Sequence, residues 1–236
     1  METGKKSRYI KYAIGEIILV MIGILLALQV NTWSEEQKKN KLKNEYVTSL
    51  ITDFTKDTVQ INARLKLNKQ MLEDLVKIKD TIESGYITTT GDFKALYKNL
   101  IGIGIRLVNT YNTNSFNLLI SSGNIDLLDK QLRENIMELN RLQNYEKGIT
   151  TFNRDYFTKF MENISIKYPN PDNPFYTDVI GDLLWKSTNI EELPKDIISF
   201  LGQKSYTIVR YIELTENVIL QTEVVLEQLH DLNKNG

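Results

Sequence analysis

The stretch that decides the fold runs from residue 9 to residue 33 and reads YIKYAIGEIILVMIGILLALQVNTW. Between Ile17 and Leu28 it contains no polar side chain. The hydrocarbon core of a bilayer requires about 20 mostly apolar residues of helix. Residues 12–31 supply that length, and Trp33 lies where amphipathic aromatic rings favour the membrane interface. The pattern predicts one transmembrane helix over residues 12–31.

A cleaved signal peptide is the alternative interpretation, because basic residues precede the apolar run. Signal peptidase requires small residues at both positions of an A-x-A motif. Ala27 satisfies one position, but Leu25 occupies the other. The run is also long for a signal peptide, so an uncleaved anchor is favoured.

One face of the predicted span is lined by Ala13, Glu16, Val20, Gly23 and Ala27, spaced alternately by three and four residues. Gly23 and Ala27 form a small-xxx-small pair that lets a second helix approach closely. Because a carboxylate is costly against lipid, Glu16 requires either a partner helix or snorkelling to the nearby headgroups. Both readings stay open, and we define these five residues as the anchor face.

The composition excludes several classes of function. The 236 residues carry a net charge of −1, so the chain lacks the excess positive charge that is typical of nucleic-acid-binding proteins. The absence of cysteine removes disulfides and thiolate metal sites. The single histidine, His230, lies in the final polar turns, where a solvated helix-end residue is the simple reading. We find no serine beside a base, so we expect no catalysis, cofactor or metal site.

Beyond the span the chain reads as helix. Apolar residues recur at threes and fours over residues 47–82, 132–164 and 197–229. In the second of these stretches we assign Leu142, Tyr145, Ile149, Phe152 and Tyr156 to the apolar face. The expected fold is all-α: an N-terminal transmembrane helix leading into an antiparallel bundle of three long helices plus shorter ones.

Local signals set the expected boundaries of the helices. Gly85 predicts the end of the first helix, Asp92 caps the second, Asp129 is the N-cap of the long central helix and Pro194 lies in the first turn of the last. The expected organisation is a basic tail (1–11), the span (12–31), a helical stalk with the first bundle helix (32–84) and the remainder of the bundle (85–236). Whether span and stalk form one helix or kink near the membrane is left open.

A second candidate site is aromatic. Its members lie on the central helix and after a proline-containing loop: Tyr145, Phe152, Tyr156, Phe160, Phe175, Tyr176 and Trp185. Together they are able to line a pocket. The favoured reading is a bundle core, since aromatic side chains dominate core burial.

Residues 12–39, YAIGEIILVMIGILLALQVNTWSEEQKK, resemble the anchor of a family of single-pass membrane proteins frequent in Bacteroidota, the domain of unknown function 6090 family. Residues 121–136, SSGNIDLLDKQLRENI, are similar to a second hallmark of that family. The departures in the anchor are conservative and fall at Met21, Leu25, Thr32 and Ser34. The resemblance implies a Gram-negative inner-membrane protein with a helical domain, and no established activity.

The orientation rests on the basic residues that flank the span. Lys5, Lys6, Arg8 and Lys11 precede it and Lys38, Lys39, Lys41 and Lys43 follow it, so the positive-inside count is a tie. The leading group lies closer to the apolar run, which favours a cytoplasmic N-terminus and a periplasmic C-terminal domain.

The expected function is that of a membrane-anchored extracytoplasmic helical bundle acting in binding, as a scaffold or as a sensor accessory. Its expected partners are membrane lipid and, through the anchor face, a second copy of the chain or another membrane protein. The alternative is a subunit of a transport or energised membrane complex that uses Glu16 as an intramembrane ionisable group.

Overall fold

The computed structural model describes residues 3–104, 110–170, 172–176 and 178–234. In this part of the chain the regular structure is entirely helical, as predicted. The elements are α1 (Thr3–Glu83), α2 (Thr90–Gly104), α3 (Asn114–Ser121), a 3-10 helix (Asn124–Leu127), α4 (Lys130–Lys167), α5 (Asp178–Lys186) and α6 (Leu193–Lys234).

The span and the stalk form one uninterrupted helix. α1 contains 81 residues, which at 1.5 Å per residue corresponds to about 120 Å. Neither Gly nor Pro occurs between Trp33 and Gly85, so nothing in the sequence breaks the backbone ladder there. α1 is the one helix in the described residues that is long and apolar enough to cross a membrane, a finding consistent with a single-pass anchor.

The predicted helix ends are confirmed at three of the four signals. Gly85 adopts a φ of +71° just after α1. Asp129 caps α4 by accepting a hydrogen bond from the Leu132 amide at 2.9 Å. Pro194 is the second residue of α6, where its missing amide proton is not needed.

At the start of α2 the cap is Thr89 rather than Asp92. The Thr89 hydroxyl accepts a hydrogen bond from the Asp92 amide at 3.2 Å, and the Asp92 carboxylate accepts from the Thr89 amide at 2.8 Å. This reciprocal capping box satisfies free amides at the helix start. The hydrogen bond from the Thr89 hydroxyl to the carboxylate lowers the pKa of Asp92.

The long helices alternate in direction around one bundle. α1 leads away from the anchor, and α2 and α3 return along it as a broken second helix, since Ser115 contacts Asp53 and Ser122 contacts Tyr46. α4 leads away again, α5 lies at the far end, and α6 returns.

The hydrophobic core is divided into two clusters. The proximal core, on the anchor side, is built from α1, α3, α4 and α6 and contains Val47, Leu50, Phe54, Ile61, Leu119, Leu132, Ile136, Leu139, Val225 and Leu229. The distal core, at the far end, contains Leu75, Ile78, Leu96, Tyr97, Phe157, Ile164, Tyr168, Trp185, Phe200 and Ile208.

Candidate functional site

Polar side chains occupy the bundle interior between the two cores. We call this group the polar layer. Its members are Asp57, Arg64 and Asn68 of α1, Gln143, Glu146, Thr150 and Asn153 of α4, Thr215 of α6, and Tyr111 and Asn112 of the connection between α2 and α3.

Glu146 lies at the centre of the polar layer and is 1 % exposed. Its Oε2 lies 3.7 Å from Arg64 Nη2, and its Oε1 accepts a hydrogen bond from the Thr215 hydroxyl at 2.7 Å. The Tyr111 hydroxyl also donates to this carboxylate. A buried carboxylate is tolerated only with such partners, because desolvation of an unpaired charge costs several kcal/mol. Glu146 therefore joins α1, α4, α6 and the α2–α3 connection.

Tyr111 is held as a neutral donor beside this charge. Burial, followed by the negative charge of Glu146, raises the pKa of Tyr111 well above its usual range. The Arg64 guanidinium lies 5.1 Å from the centre of the Tyr111 ring, and its Nη2 donates to the phenol oxygen at 3.1 Å. The phenol thus bridges the anion and the cation of the polar layer.

Asp57 fastens the α2–α3 connection to α1. Its Oδ1 accepts hydrogen bonds from the Asn112 amide at 3.0 Å and from Asn112 Nδ2 at 2.7 Å. Burial raises the pKa of Asp57 despite these hydrogen bonds. One turn closer to the anchor, Asp53 accepts from the Ser115 amide at 3.2 Å. Two successive carboxylates of α1 therefore hold the start of α3.

The polar layer is not fully satisfied. Within the described part of the chain, Arg64 Nε and Gln143 Nε2 are buried donors without an acceptor. An unsatisfied buried donor costs about 1–3 kcal/mol. The polar layer therefore specifies how the helices align at the expense of stability, and it separates the cores into two packing units.

The described residues contain no group of three His, Cys, Asp or Glu side chains able to hold a metal ion. Glu227 and His230 have the Glu-x-x-His spacing that inward-facing bundle metal sites use, but both side chains are exposed on α6.

The anchor face lies on the exposed apolar part of α1. Glu16, Val20, Gly23 and Ala27 are all exposed, while the side chain of Ala13 lies outside the described residues. A Cβ added at Gly23 would meet no atom within 4 Å. The small size of Gly23 is therefore not required by packing within this chain.

The seven predicted aromatic residues do not come together around one pocket. Trp185 packs edge-on against Tyr97 in the distal core, with ring centres 6.3 Å apart, and Phe160 packs on Phe200 at 5.3 Å. Tyr156 rests against Phe157 but is half exposed, as is Tyr145. Phe152 and Phe175 are 68 % and 85 % exposed, and Tyr176 lines a shallow groove beside α5. Of the seven aromatic residues, Trp185 and Phe160 therefore pack in the bundle core.

The predicted apolar face in the middle of α4 is wrong by one residue. The assigned residues Tyr145, Phe152 and Tyr156 point outward, whereas the buried ones are Gln143, Glu146, Thr150, Asn153 and Phe157. The buried series continues the spacing of Leu132, Ile136 and Leu139 without a step. Hydrophobicity alone favours the neighbouring face of α4, which carries the aromatic residues. One signal in the sequence could have revealed the polar layer. On α1, α4 and α6 alike, polar residues continue the three–four spacing of the apolar residues on either side of them.

Comparison with known proteins finds one family. A family model described as "Family of unknown function (DUF6090)" matches residues 16–175. The match begins within the apolar part of α1 and includes Asp57, Arg64, Tyr111 and Glu146. Neither a curated protein nor a solved structure matches the chain.

Proposed function

The chain belongs to the DUF6090 family, and we propose that it is a single-pass membrane protein whose helical bundle acts in binding, as a scaffold or sensor accessory, without catalysis. The observation that carries this proposal is the unbroken α1. That one helix holds both an uncovered apolar segment and two charged residues of the polar layer, Asp57 and Arg64.

The apolar segment requires a cover that the described chain does not provide. Every large apolar side chain of α1 from residue 14 to residue 33 is more than half exposed. Exposed apolar surface costs about 25 cal/mol per Å² in water, so a run of this length is strongly unfavourable outside a membrane. A lipid bilayer is the cover that fits its length and composition.

The rigid connection supports a role in signalling rather than simple tethering. Asp57 to Asn68 lie about 35–50 Å beyond Trp33 along a helix without a break. A partner that rotates or shifts α1 in the membrane also displaces Asp57 and Arg64 against Asn112 and Glu146. A movement of α1 in the membrane would thus be transmitted to the polar layer.

We further propose a bacterial inner-membrane location, with a cytoplasmic N-terminus and a periplasmic bundle. The basic residues before the span lie closer to the apolar run than those after it, which supports this orientation. The proposed partners are membrane lipid and, through the anchor face, a second copy or another membrane protein.

Single cysteines test the location, because the native chain contains none. With Thr81→Cys, a membrane-impermeant maleimide should label the chain in spheroplasts, whereas Lys5→Cys should be labelled only after lysis. Both variants should stay in the membrane pellet after alkaline carbonate extraction. Release by carbonate would contradict the anchor, and the opposite labelling pattern would contradict the orientation.

Co-purification from a mild detergent tests the partner role. Gly23→Leu should abolish the recovery of a second copy or of a partner, because its side chain fills the anchor face. Gly15→Leu is the matched control, since it adds the same volume to another side of the same helix, and it should leave recovery intact. Recovery of the wild-type chain only as a monomer would refute the proposal.

The transport alternative rests on Glu16, the one carboxylate within the exposed apolar segment. Glu16→Gln should then remove the phenotype that the intact chain restores to a deletion strain, with insertion and abundance unchanged. Full complementation by Glu16→Gln rejects this alternative.

A further inference from the structure

We propose that the outward face of α5, at the end of the bundle far from the anchor, is a contact surface for a second copy of this chain. We define this tip face by Ile166, Phe175, Val179, Leu183 and Leu184. The inference rests on the proposed membrane anchoring, and it does not require the anchor face to pair.

α5 carries apolar residues on two sides, and the bundle covers only one of them. Trp185 points inward to the distal core, and Asp182 pairs with Lys94 of α2 at 3.2 Å. Val179 and Leu183, one turn apart on the other side, are 71 % and 62 % exposed. A short helix that is apolar on both sides is expected where two partners enclose it.

The exposed apolar residues continue beyond α5. Ile166, at the end of α4, and Leu184 line one groove of about 410 Å³ that also includes Tyr176. Phe175 lies immediately before α5 and points into solvent. Each of these side chains leaves on the order of 100 Å² uncovered, so the five tip-face residues together expose roughly 500 Å². That is near the upper end for a monomer surface and more than half of one side of a standard interface.

The position of the tip face argues against the anchoring bilayer as its cover. Trp185 of α5 belongs to the distal core, whose α1 members are Met71, Leu75 and Ile78. Ile78 is about 65 Å beyond Trp33 along α1, well outside that membrane. Two copies anchored in one bilayer by the same rigid helix hold their tip faces at the same height. They can therefore meet about a twofold axis along the membrane normal, with the same residues on both sides.

The charges around the tip face also fit a second copy. Three acidic residues at its rim are paired within the chain: Asp182 with Lys94, Asp172 with Lys98 at 2.7 Å, and Glu192 with Lys167 at 3.7 Å. Lys167 also pairs with Asp196 at 3.1 Å, and Lys186 lies in the last turn of α5, so the rim carries charges of both signs. Such a mixed rim limits like-charge repulsion between identical copies.

Crosslinking in native membranes tests the contact with the full-length chain. Leu183→Cys should form a disulfide-linked dimer on mild oxidation, because residues near a twofold axis meet their own copies. Val76→Cys is the matched control, as Val76 is an exposed apolar residue at similar height, in the groove between α1 and α6. We expect roughly tenfold more dimer from Leu183→Cys, since a tip contact holds its two thiols together and raises their effective concentration above that of the Val76→Cys thiols.

A second substitution shows whether the contact is specific. Adding Val179→Glu to Leu183→Cys should reduce the dimer to the level of the control, while unchanged helix content by circular dichroism shows that the fold is kept. Equal crosslinking of Leu183→Cys and Val76→Cys, crosslinks only to other proteins, or indifference to Val179→Glu would each overturn the proposal. Carbonate extraction of the same samples distinguishes a failure of the tip contact from a failure of the membrane anchor. A chain that stays in the membrane pellet without crosslinking refutes the tip contact alone. A chain that is released and does not crosslink refutes the anchor as well.

Discussion

Replacing Glu146 by leucine tests the polar layer most directly. The substitution leaves Arg64 without its anionic partner and removes the acceptor of the Thr215 and Tyr111 hydroxyls. Removing one member of a buried ion pair costs about 3–5 kcal/mol. Because 18 % of the Arg64 side chain is exposed, water relieves part of that cost. We therefore expect Glu146→Leu to lower the free energy of unfolding by about 3 kcal/mol, the lower end of this range.

The double variant Arg64→Leu with Glu146→Leu distinguishes an ion pair from mere packing. A buried pair replaced by apolar residues of similar volume is often neutral or stabilising. The double variant should therefore be no less stable than Glu146→Leu alone, a strongly non-additive result. Glu216→Leu is the matched control, since its ion pair with Lys69 at 2.9 Å is about half exposed and should contribute less than about 1 kcal/mol.

Urea unfolding of the full chain in mild detergent provides the measurement. The fluorescence of Trp185, buried in the distal core, reports unfolding in a Trp33→Phe background. A loss below about 1 kcal/mol for Glu146→Leu, or additive effects of the two leucines, would show that the pair does not organise the interior.

Three further predictions use the same assay. Because the folded pKa of Asp57 is raised, its contribution to stability is present below the unfolded pKa and is lost as pH rises through the folded value. Asp57→Asn should therefore gain stability relative to wild type as pH rises above about 4, the unfolded pKa of an aspartate, and a difference that does not change with pH would contradict the raised pKa. Asp129→Ala should lower the free energy of unfolding by about 1 kcal/mol, because it removes the N-cap of α4. An unchanged free energy would show that the cap does not stabilise the fold. Leu139→Ala should lower the free energy of unfolding by about 2–5 kcal/mol, whereas Phe152→Ala should lower it by about 0.5 kcal/mol or less. The reverse order would show that the face of α4 containing Phe152 is the buried one.

Part of the site was readable from the sequence, and part was not. The residues of the anchor face are predictable from their spacing, because a three–four pattern in an apolar helix defines one side without reference to other elements. Their role as a contact stays a prediction. The polar layer did not, because Glu146 and Asp57 look like ordinary charged residues of solvated helix faces. Their burial depends on Arg64, Tyr111 and Asn112, which lie far away in the chain and reach them only through the bundle.

Local sequence patterns were sufficient to predict the apolar span, the all-α class, the three long helices and most of their ends. These features depend on residues within a few turns of one another, as the Asp129 cap and Gly85 illustrate. The buried face of α4, by contrast, depends on contacts between helices that are distant in the sequence. Tyr145 and Glu146 are neighbours on adjacent faces, and hydrophobicity favours burying the tyrosine. The fold buries the glutamate instead, because α1 and α6 supply the cation and the hydroxyl that compensate its desolvation.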